Sequence, residues 1–447
     1  LLWLTSAGGR AKHDAVFIPC TLNMTVIALL NHPATPILLS DMLLSTDGGG
    51  SNIFLPALGD LNLLQSRFSM ALPFKATRMA RKPFLIGDHT LVAWAGNVST
   101  CRQFKQLLNA SCANRPVTQE DVDTVFWQMN DSETKSFSVI CVGLPNDMNW
   151  KNWRQSVLVS HRNCIEFTSK LYGKCLFGGS GAETLSRFIQ SRDDLHAQAH
   201  SAVIEDDKFA IAGASVAGHL MFNETLLYTQ EDVVEKIKSG QLLEDGCGGF
   251  YETYTFTNRA FVAPRPILHL HIRVDEDSSA AITRAYHASG RDMMAVIVSL
   301  VAEGVTIPNN GEVHLGDAPV DLVICKAFDQ TKDHLHCRSA PSILFSPDFK
   351  FSIDEIAVTL FRSSAPLPDE ILQALPLSEQ VDAETMNKFQ LKQSAFRNPP
   401  ELPLVTLQFS SKDGFTLRLN PQWVRGILER FTKQPKPGLW HMDWTRA

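Results

Sequence analysis

The dipeptide Met24-Thr25, inside NMTVIALLNHPATPILLSD (23–41), offers the most chemistry in the chain. Met-Thr followed by an apolar run reads as the start of an open reading frame, and removal of the Met leaves Thr25 as the first residue. A threonine hydroxyl is a poor nucleophile near neutral pH and needs a base beside it. A free α-amine, with an ordinary pKa of about 7.7–8.0, is such a base and sits on the same residue. Thr25 can then attack a carbonyl, provided nothing precedes it in the mature chain. A leader cleaved after Met24 gives the same product. The plainer reading is a strand residue with no chemical role.

Other chemistries are weaker. His269 and His271 in HLHIRV share one strand face, and DHLHC adds His334, His336 and Cys337. Together these are the ligand types of a His/Cys metal site. Their spacing is not that of a zinc cluster, so a sheet face and a loop are expected, with no metal. GGSGA lacks the spacing of a G-x-S-x-G elbow. Neither a Walker A nor a dinucleotide glycine motif occurs, so no cofactor is expected.

The nine Cys show no C-x-x-C pair and are odd in number, which reads as free thiols in a reducing, cytoplasmic compartment. A net charge of −6 with no Lys/Arg-rich run argues against a nucleic-acid surface. The longest apolar run, MMAVIVSLVA (293–302), is too short for a membrane span. LLWLTSAGG has no basic region before it and does not read as a signal peptide.

The elements that must position Thr25 begin with TVIALL and ILLSDMLLS, two apolar strands around NHPATP, which read as a hairpin. KPFLIGDHTLVAWAG (82–96) reads as a second hairpin. STCRQFKQLLNAS has helical spacing, with Ser99 or Thr100 as its cap. Thr118 with Asp121 forms a relaxed capping box before EDVDTVFWQM. SFSVICVGLP and QSVLVSH are strands. LYGKCLFGGSGAETLSRFIQS runs from strand through a Gly-rich turn to helix. DKFAIAGASVAGHLMFNETLL and QEDVVEKIKSG read as helices, and GFYETYTFTN and PILHLHIRV as strands. The polar VDEDSSAA marks a break after Asp275. A fresh α+β pattern follows, with DLVICKAF, FKFSIDEIAVTLF and LPLVTLQF as its clearest strands. Strands and helices in blocks, without strict alternation, predict layers.

Five stretches in order, MTVIALL, ILLSD, KPFLI-D-LVAWAG, GGSGAETL and EDGCGGFYETYTF, resemble the proteasome β-subunit family, including the simpler bacterial proteasome-like peptidases. These are N-terminal nucleophile (Ntn) hydrolases. The resemblance covers 25–275 and leaves 276–447 untouched. It implies an α+β fold: a four-layer αββα Ntn-hydrolase sandwich, with 1–24 an upstream or removed segment and 276–447 an additional C-terminal α+β domain.

The resemblance also implies roles. Thr25 is the nucleophile. Asp41 stands at the family's step from it, and Lys82 precedes an apolar tetrapeptide as the family's Lys does. A buried Lys held by an Asp lowers the pKa of the neighbouring amine. The longer gap between Thr25 and Lys82 requires an inserted loop in 46–75. Ser180 and Glu244 help hold the amine, with Asp245 as the alternative carboxylate. Cys247 stands where the family usually has Ser. Ala93 aligns with the backbone N–H that stabilises the oxyanion. Taken singly, Asp41 reads as a turn or cap residue, Lys82 as a strand-edge charge, Ser180 as a helix-start serine and Glu244/Asp245 as a solvated acidic turn.

The implied activity is threonine-type peptidase or amidase action on peptide or protein substrates, in a homo-oligomer, ring or dimer, with no nucleic-acid or membrane partner. The alternative is a catalytically inactive proteasome-like assembly or binding module.

Overall fold

The hairpin of Val26–His32 and Ile37–Asp41 forms as expected and lies at the centre of a six-stranded antiparallel sheet. The computed structural model describes most of residues 25–196, 245–363 and 389–433, with 216–217, 220–221 and 438–439. Met24, Glu244, QEDVVEKIKSG and most of DKFAIAGASVAGHLMFNETLL lie outside the described residues. The chain is α+β and mostly strand.

In the six-stranded sheet, Gly173–Gly179 pairs with Val26–His32 on one side of the hairpin, and Tyr251–Thr257 pairs with Ile37–Asp41 on the other. Cys164–Ser169 and Ala260–Val262 form its edges. The second expected hairpin, Phe84–Ile86 with Thr90–Ala95, lies in a four-stranded sheet with Ser138–Gly143 and Leu158–Arg162.

Period-2 alternation decides how these sheets pack. Ile27, Leu29 and Leu38 meet Leu91, Ala93, Ile140 and Val142 in one buried cluster between the two sheets. The opposite face of the four-stranded sheet, with Val92, Trp94, Val139 and Cys141, takes the helices Val98–Cys112 and Gln119–Gln128. Phe104 and Leu108, four apart and both buried, anchor the first of these. Each contributes about 1.5–3 kcal/mol by burial. On the outer face of the six-stranded sheet, Ala28, Leu39 and Phe177 pack with Leu185 and Ile189 of the helix Ala182–His196.

The helix Val98–Cys112 is capped by Asn97, whose Oδ1 accepts the Ser99 N–H at 2.8 Å, and not by Ser99 or Thr100. Asn here has the short side-chain carbonyl that reaches back to the first turn. The Thr118/Asp121 capping box is present, with the Thr118 N–H donating to Asp121 Oδ2 at 2.9 Å and the Asp121 N–H to Thr118 Oγ1 at 3.3 Å. Thr118→Ala is expected to cost about 1 kcal/mol, read as a lower urea midpoint at unchanged slope.

The C-terminal part forms an eight-stranded sheet, and a second four-stranded sheet built from Glu312–Gly316, Gly414–Leu419, Val405–Ser410 and Phe349–Phe351. Ile267–Val274 pairs along its whole length with Ala280–Arg291, and in parallel with Glu355–Ser363. Within VDEDSSAA, where a domain break is expected, residues 276–278 lie outside the described residues; on either side of them the Asp275 N–H donates to the Ser279 carbonyl at 2.9 Å. Ile267–Val274, the strand of PILHLHIRV, belongs to the C-terminal sheet.

That sheet is buried on both faces. Leu268, Leu270, Ala285 and Val298 pack on the second four-stranded sheet and on the helix Pro421–Lys433. Tyr286, Ala288, Ile297, Val323 and Cys325 share the cluster of the six-stranded sheet. The two parts of the chain thus have one continuous core. No helix among the described residues is long and apolar enough to cross a membrane.

Candidate active site

Thr25 stands immediately before the first strand and is 1% exposed. Register brings its neighbours to it. Val26 lies opposite Gly179, which puts Ser180 beside Thr25, and Ile27 lies opposite Ser40, which puts Asp41 beside Val26. Gly179 has φ +94, and a Cβ there would stand 2.1 Å from the Thr25 carbonyl oxygen. The strand end approaches Thr25 this closely only because residue 179 is glycine.

Lys82 arrives from a short connector between two strands. The Ala80 N–H donates to the Met42 carbonyl at 2.8 Å, and the Arg81 N–H to the Lys326 carbonyl at 2.9 Å. The Phe328 N–H donates back to the Arg81 carbonyl at 3.1 Å. The connector is thereby fixed between the first strands and the C-terminal part, and Lys82 points inward with no exposure.

Its ammonium donates to Thr25 Oγ1 and, at 2.5 Å, to Asp41 Oδ1. The Thr25 hydroxyl also lies 3.3 Å from Asp41 Oδ1. Asp41 is further held by the Val26 N–H on Oδ1 at 2.8 Å and the Gly248 N–H on Oδ2 at 3.0 Å. Burial pulls the Lys82 ammonium below the ordinary lysine range, and the Asp41 carboxylate works against that pull.

Ser180 Oγ accepts the Thr25 N–H at 3.1 Å and lies 3.2 Å from the Asp245 carbonyl oxygen. Cys247 Sγ is 3.5 Å from the same hydroxyl. Burial, then the Asp41 charge, push the Cys247 thiol well above its ordinary value, so it stays a neutral neighbour. The Asp245 carboxylate itself turns to Thr184 Oγ1 at 2.6 Å. Its backbone carbonyl is the part that reaches the Ser180 hydroxyl.

Thr25 opens onto a cavity of about 300 Å³, also lined by Ser45, Thr77, Arg78, Gly96, Asn97 and Arg102. Ala93, expected as the oxyanion donor, is absent from this lining. It lies inside its strand opposite Ile140, with its side chain in the core between the sheets. Gly96, three residues on, is the member of that stretch that reaches the cavity. It has φ +124, and a Cβ there would meet the Ser136 carbonyl oxygen at 2.6 Å.

A group the sequence reading missed lies next to Lys82. Arg81 Nε is 2.6 Å from Glu252 Oε1, and its Nη2 donates to the Tyr254 hydroxyl at 2.7 Å. That hydroxyl donates to Glu252 Oε2 at 3.0 Å. All three side chains are buried. Burial opposes the Arg81 charge, but Glu252 and Tyr254 together outweigh it and hold the guanidinium above its ordinary range. An Arg beside a predicted catalytic Lys was visible in the sequence. Its partners, 171 and 173 positions away, were not.

The histidines take other roles. His336, expected in a loop, lies on the strand His334–Ser339, where its Nε2 is 2.9 Å from Asp321 Oδ1 and its ring stacks on Phe54 at 4.0 Å. His269 packs edge-on to Phe250 and His271 to Tyr286. Cys337 Sγ lies 3.4 Å from Ser339 Oγ. Among the described residues no three metal-ligating side chains come together.

Comparison with protein families finds no family model that matches the chain. Comparison with curated proteins finds none that matches it.

Proposed function

We propose that the chain is a threonine-type Ntn hydrolase, a peptidase or amidase with a proteasome-like αββα core. The observation that carries this reading is the meeting of Thr25 Oγ1, the Lys82 ammonium and the Asp41 carboxylate, with Ser180 at the Thr25 nitrogen. These residues come from four separate stretches of sequence. The two sheets with helices outside them are the layers such a core needs.

In the proposed reaction, residues before Thr25 are removed and its amine becomes free. Thr25 Oγ attacks the amide carbon while the amine takes the hydroxyl proton. The C–N bond breaks, the amine returns that proton to the leaving nitrogen, and an acyl ester remains on Thr25. Water then attacks the ester, again giving a proton to the amine; the bond between Thr25 Oγ and the acyl carbon breaks, the amine returns the proton to Oγ, and the acid product leaves. Lys82 lowers the amine's pKa by its charge, and Asp41 holds Lys82 in place. Ser180 orients the amine. The N–H of Gly96, a residue that lines the cavity, replaces Ala93 as the proposed oxyanion donor. Asp245 supports Ser180 through its backbone carbonyl, while its carboxylate serves Thr184. Peptides or proteins are the proposed substrates, with assembly as a homo-oligomer.

The test is intact mass of protein expressed from its native start, followed by labelling with an electrophile selective for N-terminal threonine. The expected result is a chain beginning at Thr25 that takes one label, with Thr25→Ala taking none. A stable chain that keeps residues before Thr25 and resists labelling favours the inactive assembly module.

A further inference from the structure

We infer that the buried Arg81–Glu252 ion pair, joined by Tyr254, is a positioning device that aims the Lys82 ammonium at Thr25 Oγ1. This rests on the hydrolase reading above and adds positioning residues to its site.

Lys82 lies in 80–83, between the strands Phe74–Met79 and Phe84–Ile86. A lysine carries its charge on a flexible four-carbon stem, so its aim has to be imposed from outside. Two neighbours impose it. Pro83 follows Lys82 and holds it in the extended region, because the proline ring clashes with a helical residue before it. Arg81 precedes it and forms a parallel bridge with Ala327, which is also extended backbone. In an extended chain successive side chains point opposite ways. Anchoring Arg81 on one side therefore commits Lys82 to the other.

The anchor is fixed at three nitrogens. Nε is 2.6 Å from Glu252 Oε1, Nη2 donates to the Tyr254 hydroxyl at 2.7 Å, and Nη1 donates to the Met294 carbonyl at 3.3 Å. A planar guanidinium held in this way has one orientation. Register ties the anchor to the rest of the site. Tyr251, the residue before Glu252, lies opposite Asp41 on the neighbouring strand. Asp41 receives the Lys82 ammonium and Glu252 receives Arg81, so both acceptors ride on one strand pair, and the pairing sets the distance between them. Both ion pairs are out of solvent. A buried ion pair adds little net stability over apolar side chains of similar volume. What Arg81 and Glu252 supply beyond packing is direction.

The experiment uses mature protein, verified by mass to begin at Thr25, and follows the rate of Thr25 labelling by a small uncharged electrophile against pH. The neutral amine is the base, so the rate rises with pH through the amine's pKa, which the Lys82 charge lowers. The double variant Arg81→Met/Glu252→Gln removes one charge of each sign, and Tyr254→Phe removes a hydroxyl alone. Neither alters Lys82, Asp41, Asp245, Cys247, Arg78 or Arg102, the charged and titratable groups around Thr25 and its cavity. The double variant is expected to slow labelling at pH 7 by about tenfold or more and to raise its pH midpoint by about half a unit or more. Tyr254→Phe is expected to move both in the same direction by less. Thr118→Ala, destabilised at a helix cap outside the site, is expected to keep the wild-type midpoint, which separates lost aim from lost stability. A midpoint unmoved in the double variant, or unmoved in Tyr254→Phe where the double variant does not fold, overturns the positioning role and leaves the hydrolase standing. So does a midpoint that moves equally in Thr118→Ala. A wild-type chain that is not labelled at Thr25 overturns both.

Discussion

Lys82→Met is expected to slow acylation of Thr25 by about 10²–10⁴-fold, the range seen when a positioned acid–base group is lost. Among the described residues the Lys82 ammonium is the cationic group hydrogen-bonded to the Thr25 hydroxyl, and it does not touch solvent. Methionine keeps the length and removes the charge. The variant also leaves Asp41 as a buried carboxylate facing two backbone N–H groups and a hydroxyl. Breaking one side of a buried ion pair costs about 3–5 kcal/mol, so stability and reactivity fall together.

The double variant Asp41→Asn/Lys82→Met separates them. It removes both charges and is expected to regain most of the stability, because a neutral amide needs no buried counter-ion. It regains none of the labelling rate. Urea melts and the rate of electrophile labelling on both variants check this. Labelling that recovers with stability means that Lys82 only holds the fold.

How far the site was legible follows from how each residue is placed. Thr25, Asp41, Lys82 and Ser180 each sit at the end of an apolar strand or at its turn. Such strands announce themselves by short-range pattern, and their pairing brings the ends together. Gly96 had a visible signal as a glycine between a strand and an Asn cap. Gly96 lines the cavity, while Ala93, expected from the resemblance, is not in that lining. Arg78 and Arg102 lie on different elements with no local spacing between them, so only the packing of a helix against a strand brings them to one wall.

The division expected at Asp275 rests on a similarly short-range signal. A run such as VDEDSS marks a turn, and the same residues end a domain or join two paired strands. The pairing of 267–274 with 280–291 decides between these, together with a parallel partner at 355–363 that no local window contains. The consequence reaches the site. The connector that carries Lys82 is hydrogen-bonded to Lys326 and Phe328, so the C-terminal part helps hold the candidate site.

Acidification from pH 7 to pH 5 is expected to cost the folded chain about 4 kcal/mol through two histidines of that C-terminal sheet. Burial, with His287 adding to it, pulls His269 down to about 3, and burial pulls His287 down to about 4. Both start from an ordinary value of 6.5 in the unfolded chain. Between the folded and unfolded values the unfolded chain binds more protons. Stability therefore rises with pH across that window and is complete above about pH 6.5. Each group contributes up to about 1.4 kcal/mol per pH unit, hence about 2 kcal/mol each at pH 5.

The two rings sit on opposite faces. His269 lies opposite Tyr286, whose side chain faces the core shared with the site, while His287 lies opposite Leu268 and faces the second sheet. His271, against Tyr286, is lowered in the same direction by burial and then by Arg284. Protonation thus loosens the eight-stranded sheet from both sides. Domains of ordinary stability hold about 5–15 kcal/mol, so a loss of this size is readable in urea midpoints from pH 4.5 to 7.5. His269→Leu and His287→Leu are each expected to remove about half of the pH dependence, even where the substitution lowers stability at pH 7. A slope that neither variant changes places the acid sensitivity elsewhere.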